Sequence, residues 1–449
     1  MRTDRIEGAI LHYLNFNSSP SEHDGVLRQA SKELWERGLG FADTAGLSLF
    51  LRAELRRRGD FYELPDSIQH GLEQRFRDNV LRTQAVTEEF IEFNQLLHAH
   101  DVEFLNLKGV MLYPDFVDAR ENRLQYDHDF LISTHDLQKS YDLFLDLGYT
   151  PLPSSPKLAV GHLPTLIRKT DWKWTGNLFD PAIPRAVELH FQLWDSEFDK
   201  IEIRTLDRVW RDSQLATFPT VWIPVLSPEH TLLHCVLHSF RHLLRNDLRL
   251  SHLYEIAYFL QHRSEKENFW PGFLNSLLCC SQSCRATATL FELACRVFGS
   301  EPTPIVRQFI RQYLSPGADL WIERYGIPES IYCYRRSKNA LFLHLDFVNG
   351  LSNKTIVMKR KLIPRHLPSY SLGVQNTGKR QSRIVRLSHR FNGAGQLMSR
   401  ICFHLKTLVE FAIQLPRWVL NLHRRRNSPL NFTNHAERLL PVSKHKEPR

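Results

Sequence analysis

Three short apolar runs constrain this chain more than anything else in it. VEFLNL from Val102, DFLI from Asp129 and VELHF from Val187 interrupt a sequence whose apolar residues otherwise recur every three or four positions. Runs this short and rich in Val, Ile, Leu and Phe read as strands, whereas the spacing on either side reads as helix. Upstream, DSIQHGLEQRFRDNVLRTQAVTEEFIEFNQLLHAH sets Leu72, Phe76 and Val80, then Phe90, Phe93 and Leu97, on the core face of a helix that starts at Pro65 and Asp66. Downstream, SPEHTLLHCVLHSFRHLL opens with Ser227 as cap, Pro228 at the first position and an acid in the first turn, and helix is expected to about residue 345. The expected fold is α+β, a small mixed β-sheet core flanked by N-terminal and C-terminal helical regions. Its divisions are a helical region 1–100, an α/β core 101–225, a helical domain 226–345 and a basic region 346–449 whose fold the sequence does not disclose.

Between the strand candidates the punctuation is specific. VEFLNL ends in Lys108-Gly109, and VMLYPDF then opens a short helix. THDLQKSYDLFLDLGY reads as a helix with Thr134 as N-cap and Gly148 at its end. Residues 150–184, rich in Pro, Lys and Trp, read as an insertion or flexible loop.

The stretch RLQYDHDFLIS, from Arg123 to Ser133, raises the chemical question. In a strand, residues two apart point to the same face, so Asp127 and Asp129 aim two carboxylates into one site and His128 faces away. Two like charges held that close need a cation, and Mg²⁺ is suited because it takes one or two carboxylates together with substrate phosphate oxygens. Glu188, on the third strand, can reach the same face as a metal ligand or general base, and His190 shares its side. An Asp-x-Asp pair alone is usually a turn or a solvated edge. The order strand, Lys-Gly, helix, Asp-x-Asp strand, then a strand with Glu188 is what raises it above that.

In this order the chain resembles the uncharacterised nucleotidyltransferases of the polymerase-beta-like superfamily. LNLKGVMLYPDF, RLQYDHDFLI and LDLGY match that family's Lys-Gly turn, its Arg and Asp-x-Asp block and its helix-Gly. VELHFQL and VLSPEHTLLHCVLHSFRH match its later blocks, so the resemblance spans roughly residues 30–330. It implies that Asp127 and Asp129 bind Mg²⁺, with Glu188 completing an acidic triad. Two ions are expected, with Mn²⁺ able to substitute. The implied chemistry is in-line transfer of a nucleotidyl group from an NTP to an acceptor hydroxyl, with release of pyrophosphate. Gly109 would let backbone N–H groups approach the triphosphate, and Lys108 and Arg123 would neutralise its charge. Lys-Gly stands where the wider superfamily carries Gly-Ser or Gly-Gly, and His128 stands at a usually apolar position.

His230, His234, His238 and His242 recur every four residues and line one helix face. Zinc is disfavoured, because no HExxH pattern or further ligand accompanies them. Core packing and contact with substrate phosphate or sugar remain, with His238 and His242 the candidates for nucleotide contact. Glu255 is a candidate support residue for the site. Of the seven cysteines, Cys279, Cys280, Cys284 and Cys295 lie close together without a CxxC pair and read as buried thiols.

Charge divides the chain. Residues 351–449 carry 20 Lys+Arg against 3 Asp+Glu, and the first 350 carry 38 against 46. Such a tail fits contact with nucleic acid or an anionic membrane, or a solvated segment. LKTLVEFAIQLPRWVLNLHRRR is one segment that could lie at a membrane surface, although Pro416 argues against a continuous helix. No apolar run is long enough to span a bilayer and the start lacks a signal-peptide pattern, so a cytoplasmic protein, peripheral to a membrane at most, is expected. The acceptor stays open among a small molecule, sugar, RNA or protein. A second reading keeps the same fold without catalysis: a module that binds a nucleotide or a protein and is held at a surface by its basic tail.

Overall fold

The computed structural model describes residues 6–18, 26–152, 161–204, 206, 208–218, 221–262, 269–328, 337–363 and 383–427. Helices precede and follow a mixed seven-stranded sheet. The strands are β1 Phe104–Asn106, β2 Asp127–Ile132, β3 Tyr149–Pro151, β4 Leu166–Arg168, β5 Ala186–His190, β6 Gln214–Phe218 and β7 Val221–Val225. They lie in the order β3-β4-β5-β2-β1-β7-β6, so the three runs first read as strands stand side by side at its centre. β2 runs parallel to β5 and antiparallel to β1.

Alternation along β2 assigns its two faces. Phe130 and Ile132 join Phe104, Val187 and Leu189 beneath Phe93 and Leu97 of the helix Asp66–Ala99. Leu131, with Leu105, Leu107 and Leu226, packs on the opposite face. The largest core draws on both ends of the chain. Ile6, Trp35, Phe50 and Leu72 pack with Leu232, Phe259, Phe291 and Phe347, and Phe50 stacks 4.5 Å from Tyr254. Amphipathic helices need a partner for their apolar stripe, and here the partner lies some two hundred residues on.

Four local expectations are corrected. Val80 is exposed and Asn79 occupies the buried position of that turn, donating to the carbonyls of Glu121 and Arg123 at 2.8 and 3.1 Å. The helix after β2 begins at Leu137, not behind Thr134, because the Asp136 carboxylate is engaged by the Glu103 N–H at 2.8 Å. Within 150–184, β4 pairs antiparallel with β3 and β5, its Leu166 filling the sheet core; three residues are too few to display a period. The hairpin β6–β7 went unread, though QLATF and VWIPV do alternate. At the chain's other end the helix Arg383–Arg426 runs through Pro416. The basic stretch KHKEPR at 444–449 lies outside the described residues.

His128 is explained by the face it occupies. Its Nε2 donates to Glu89 Oε2 at 3.1 Å, its ring meets the edge of Phe93 at 5.1 Å, and Arg185 grips the same carboxylate through two bonds of 2.6 and 2.7 Å. Burial raises the Glu89 pKa, but the hydrogen bonds from His128 and Arg185 outweigh it and hold the carboxyl at about 2. A carboxyl depressed on folding stabilises above its unfolded pKa and loses that contribution as pH falls through the folded one. Glu89→Gln is therefore expected to lose about 3 kcal/mol at neutral pH, since it strands a buried guanidinium. In urea titrations its deficit against the parent should shrink as pH falls from about 5 towards about 2. An unchanged midpoint at neutral pH would refute the pairing.

Candidate active site

The carboxylates meet because of strand register. Asp129 pairs directly with Glu188 across β2 and β5, Asp127 pairs with Ala186, and Leu131 with His190. Asp127, Asp129, Glu188 and His190 therefore emerge from one sheet face, although fifty-nine residues of chain separate Asp129 from Glu188. β1 completes the cluster from the other side. Leu107 N–H donates to the Asp129 carbonyl at 3.2 Å, so the next residue, Lys108, is delivered to the two aspartates. Its Nζ lies 3.3 Å from Asp129 Oδ2 and 3.8 Å from Asp127 Oδ2.

The four acidic and basic groups hold distinct states. Burial and the Asp129 charge raise the Asp127 pKa, against the pull of Lys108. At Asp129 burial acts the same way, but Lys108 and the His190 hydrogen bond outweigh it and hold the carboxyl well below its usual range. Lys108 itself is held charged: burial works against the ammonium, and Asp127, Asp129 and Glu188 overcome it. His190 Nε2 donates to Asp129 Oδ1 at 3.2 Å and lies 3.6 Å from Glu188 Oε2, and these bonds raise its pKa despite burial. Thr165 donates to the free side of Glu188, Oε1, at 3.1 Å. The Asp127 side chain is 34% exposed and that of Asp129 4%, so the cluster opens at Asp127.

A divalent cation fits this donor set. Ligand atoms of Asp129, Glu188 and His190 lie within 4.8 Å of one another, and Asp129 Oδ2 is buried without a hydrogen-bond partner. The carboxylates are the oxygen donors that a hard divalent cation takes, and the imidazole nitrogen that faces Asp129 is spent on its hydrogen bond.

Gly109 follows Lys108 at φ 79°, and a Cβ there would come within 2.7 Å of Gln125 Nε2, which donates to the Asp127 carbonyl at 2.8 Å. Only glycine satisfies both demands. It opens a single 3₁₀ turn, Gly109–Leu112, at the place where a short helix was expected. Arg123 is turned inward: its Nε donates to Glu255 Oε1 at 2.8 Å, which joins the segment before β2 to the helix Leu250–His262. Burial opposes the guanidinium charge, and Glu255 and Asp127 overcome that opposition.

The histidine face of the helix Pro228–Leu244 lies over Lys108. Ser227 caps it, accepting from the His230 N–H at 3.3 Å. His238 Nε2 lies 3.5 Å from Lys108 Nζ, and His234, His238 and His252 line a narrow cavity with Lys108, Arg123 and Glu255. His242 stands one ring back, 4.6 Å from His238, and does not line the cavity. Burial and the nearby Lys108 charge push His234 down to about 3 and His238 well below its usual value. Neither ring nitrogen of His234 has a partner. The histidine side of this wall thus keeps hydrogen-bonding capacity beside the charged Lys108, Arg123 and Glu255.

A second narrow cavity lies behind Gly109, lined by Asn79, Arg82, Tyr113, Arg120, Arg123 and Gln125 among others. Arg82 is 1% exposed and donates to the carbonyls of Gln125 and Asp180, each at 2.8 Å, and its Nη2 has no partner. Arg120 lies over the rings of Tyr113 and Phe218 at 4.7 and 5.0 Å. Among the described residues neither guanidinium pairs with a carboxylate. Sequence reasoning gave neither a role; for Arg82 the available signal was an arginine on the buried face of the long helix.

Residues 31–299 match the model of a family described as uncharacterised nucleotidyltransferase. No curated protein and no solved structure matches the chain.

Proposed function

The chain belongs to the uncharacterised nucleotidyltransferase family, and from that premise we propose that it moves a nucleotidyl group from an NTP to an acceptor hydroxyl and releases pyrophosphate. The observation that supports this best is the direct pairing of Asp129 with Glu188 on adjacent parallel strands, with Asp127 on the same face. Asp127, Asp129 and Glu188 are the proposed holders of Mg²⁺, one ion or two, with Mn²⁺ as substitute and His190 holding Asp129 in place rather than ligating the ion. Bound there, a divalent ion supplies charge for the oxygens that attack and leave.

The remaining steps belong to the chain's own residues. Lys108 and Arg123 face the triphosphate charge, with the unpaired Arg82 and Arg120 behind Gly109 adding to the positive potential. His190 orients Asp129 through its hydrogen bond to Oδ1. The acceptor hydroxyl gives its proton to a Glu188 carboxylate oxygen as its own oxygen bonds the α-phosphorus. The bond from that phosphorus to the bridging oxygen then breaks, and pyrophosphate carries the electron pair away. His238 and the histidine side of the cavity wall are placed to hydrogen-bond a sugar, whereas His242 supports His238.

One observation favours the alternative of a nucleotide- or protein-binding module without catalysis. Lys108 already neutralises the acidic cluster, as a retained but inactive site would require. Incubation with labelled NTPs, Mg²⁺ and cell extract separates the two. Label should pass from the NTP to an acceptor with the parent protein and not with Asp127→Ala/Asp129→Ala. Absence of both transfer and Mg²⁺-dependent NTP binding in the parent would reject the enzyme.

A further inference from the structure

The C-terminal helix presents two apolar faces, and the protein covers only one. Phe411 stacks 4.5 Å from Phe342 and Trp418 4.9 Å from the same ring, while Tyr325 donates to Gln414 at 2.5 Å. Arg425 ties the far end of this face to Asp319 and Glu323 at 2.7 and 2.6 Å. The helix is therefore seated in a fixed rotation. On its outer side Ile401, Leu405, Val409, Ile413 and Leu420 are between 43% and 60% exposed. Their spacing of four, four, four and seven gathers them on one stripe about 120° wide, opposite Phe411 and Trp418. An unbroken row of this kind exceeds the scattered apolar residues normal on a surface.

Charge selects among the partners such a row could have. The helix Arg383–Arg426 carries nine Lys+Arg and one acid, Glu410; Lys406, Arg425 and Arg426 are spent on Glu410, Asp319, Glu323 and Asp346, whereas Arg417 and Arg424 are exposed beside the row. Two copies meeting face to face would bring two basic rims together. Nucleic acid would use the charge and leave the apolar row in water. Among the described residues no helix is long and apolar enough to cross a membrane. What satisfies both features is an anionic bilayer surface, with the row entering the acyl boundary and the arginines among the headgroups.

We infer that the outer face of this helix docks the protein in the plane of an anionic membrane. The acidic character of residues 1–350, with 46 Asp+Glu against 38 Lys+Arg, turns the remainder of the molecule away from the same surface. This rests on the helix alone and stands apart from the catalytic reading.

The full chain should sediment with vesicles of phosphatidylcholine and phosphatidylglycerol in equal parts, and far less with phosphatidylcholine alone. Leu405→Gln/Ile413→Gln, at exposed positions, should weaken that partitioning about a hundredfold with circular dichroism unchanged. Arg417→Gln/Arg424→Gln, both at exposed positions, should weaken it less and reduce its salt dependence. Three results would overturn the inference. One is equal partitioning of the parent to both vesicle types, or to neither. Another is partitioning indifferent to Leu405→Gln/Ile413→Gln. The third is a dimer by light scattering that the same double substitution dissolves, which would assign the face to a second copy.

Discussion

Asp129→Asn is expected to lower nucleotidyl transfer about a thousandfold, since losing about 4 kcal/mol of charge stabilisation at the reacting centre has that effect on rate. Asparagine keeps the shape and still accepts from His190 through its amide oxygen, so the fold should survive. What it loses is the charge that holds Lys108 on one side and, on the proposed reading, a divalent ion on the other. Glu188→Gln should behave alike, because Glu188 occupies the paired position one strand over. Initial rates with labelled NTP at saturating Mg²⁺ provide the measurement. A loss of less than tenfold at both positions would move the reacting centre elsewhere.

Lys108→Met should make stability depend on metal. The ammonium lies 3.3 Å from Asp129 and 3.8 Å from Asp127, and its removal leaves their like charges facing one another in a mostly buried cluster. Breaking a buried pair from one side costs about 3–5 kcal/mol. In EDTA the variant should unfold at markedly lower urea than the parent. Adding Mg²⁺ or Mn²⁺ should recover most of the difference, because a divalent ion replaces the missing charge and binds only the folded cluster. The parent, which carries its own cation, should respond much less. Variant curves that coincide with and without metal would show that these carboxylates do not hold a divalent ion, whatever the enzyme assay reports.

The two substitutions probe one arrangement from its two signs of charge, and they bear differently on the readings proposed above. An inactive module would still show the Lys108→Met instability in EDTA, since that follows from electrostatics alone. It would not show the loss of transfer.

Much of this was legible along the chain. A strand's side chains alternate, so the reading of Asp127 and Asp129 on one face and His128 on the other needed only local geometry. The cap at Ser227, the glycine ending the helix at Gly148 and the four-residue recurrence of the histidines are equally local. Val80 failed as a core residue for a complementary reason. Apolar spacing identifies a stripe, but here a buried asparagine was required to hold the carbonyls of the loop before β2. Polar residues on a buried face carry no hydrophobic signal.

Register, pairing and partners over distance were decided only by the tertiary structure. Nothing near Asp129 says that Glu188 lies across from it, that Lys108 reaches between the aspartates, or that Arg123 turns inward to Glu255. Nor does the sequence of the C-terminal helix say which side is covered; the seating of Phe411 and Trp418 against Phe342 settles that. The sequence by itself determined which residues share a face, because that depends on dihedral angles repeated from one residue to the next. Which faces meet depends on burying area and pairing charge across the whole chain, and those terms exist only once it is folded.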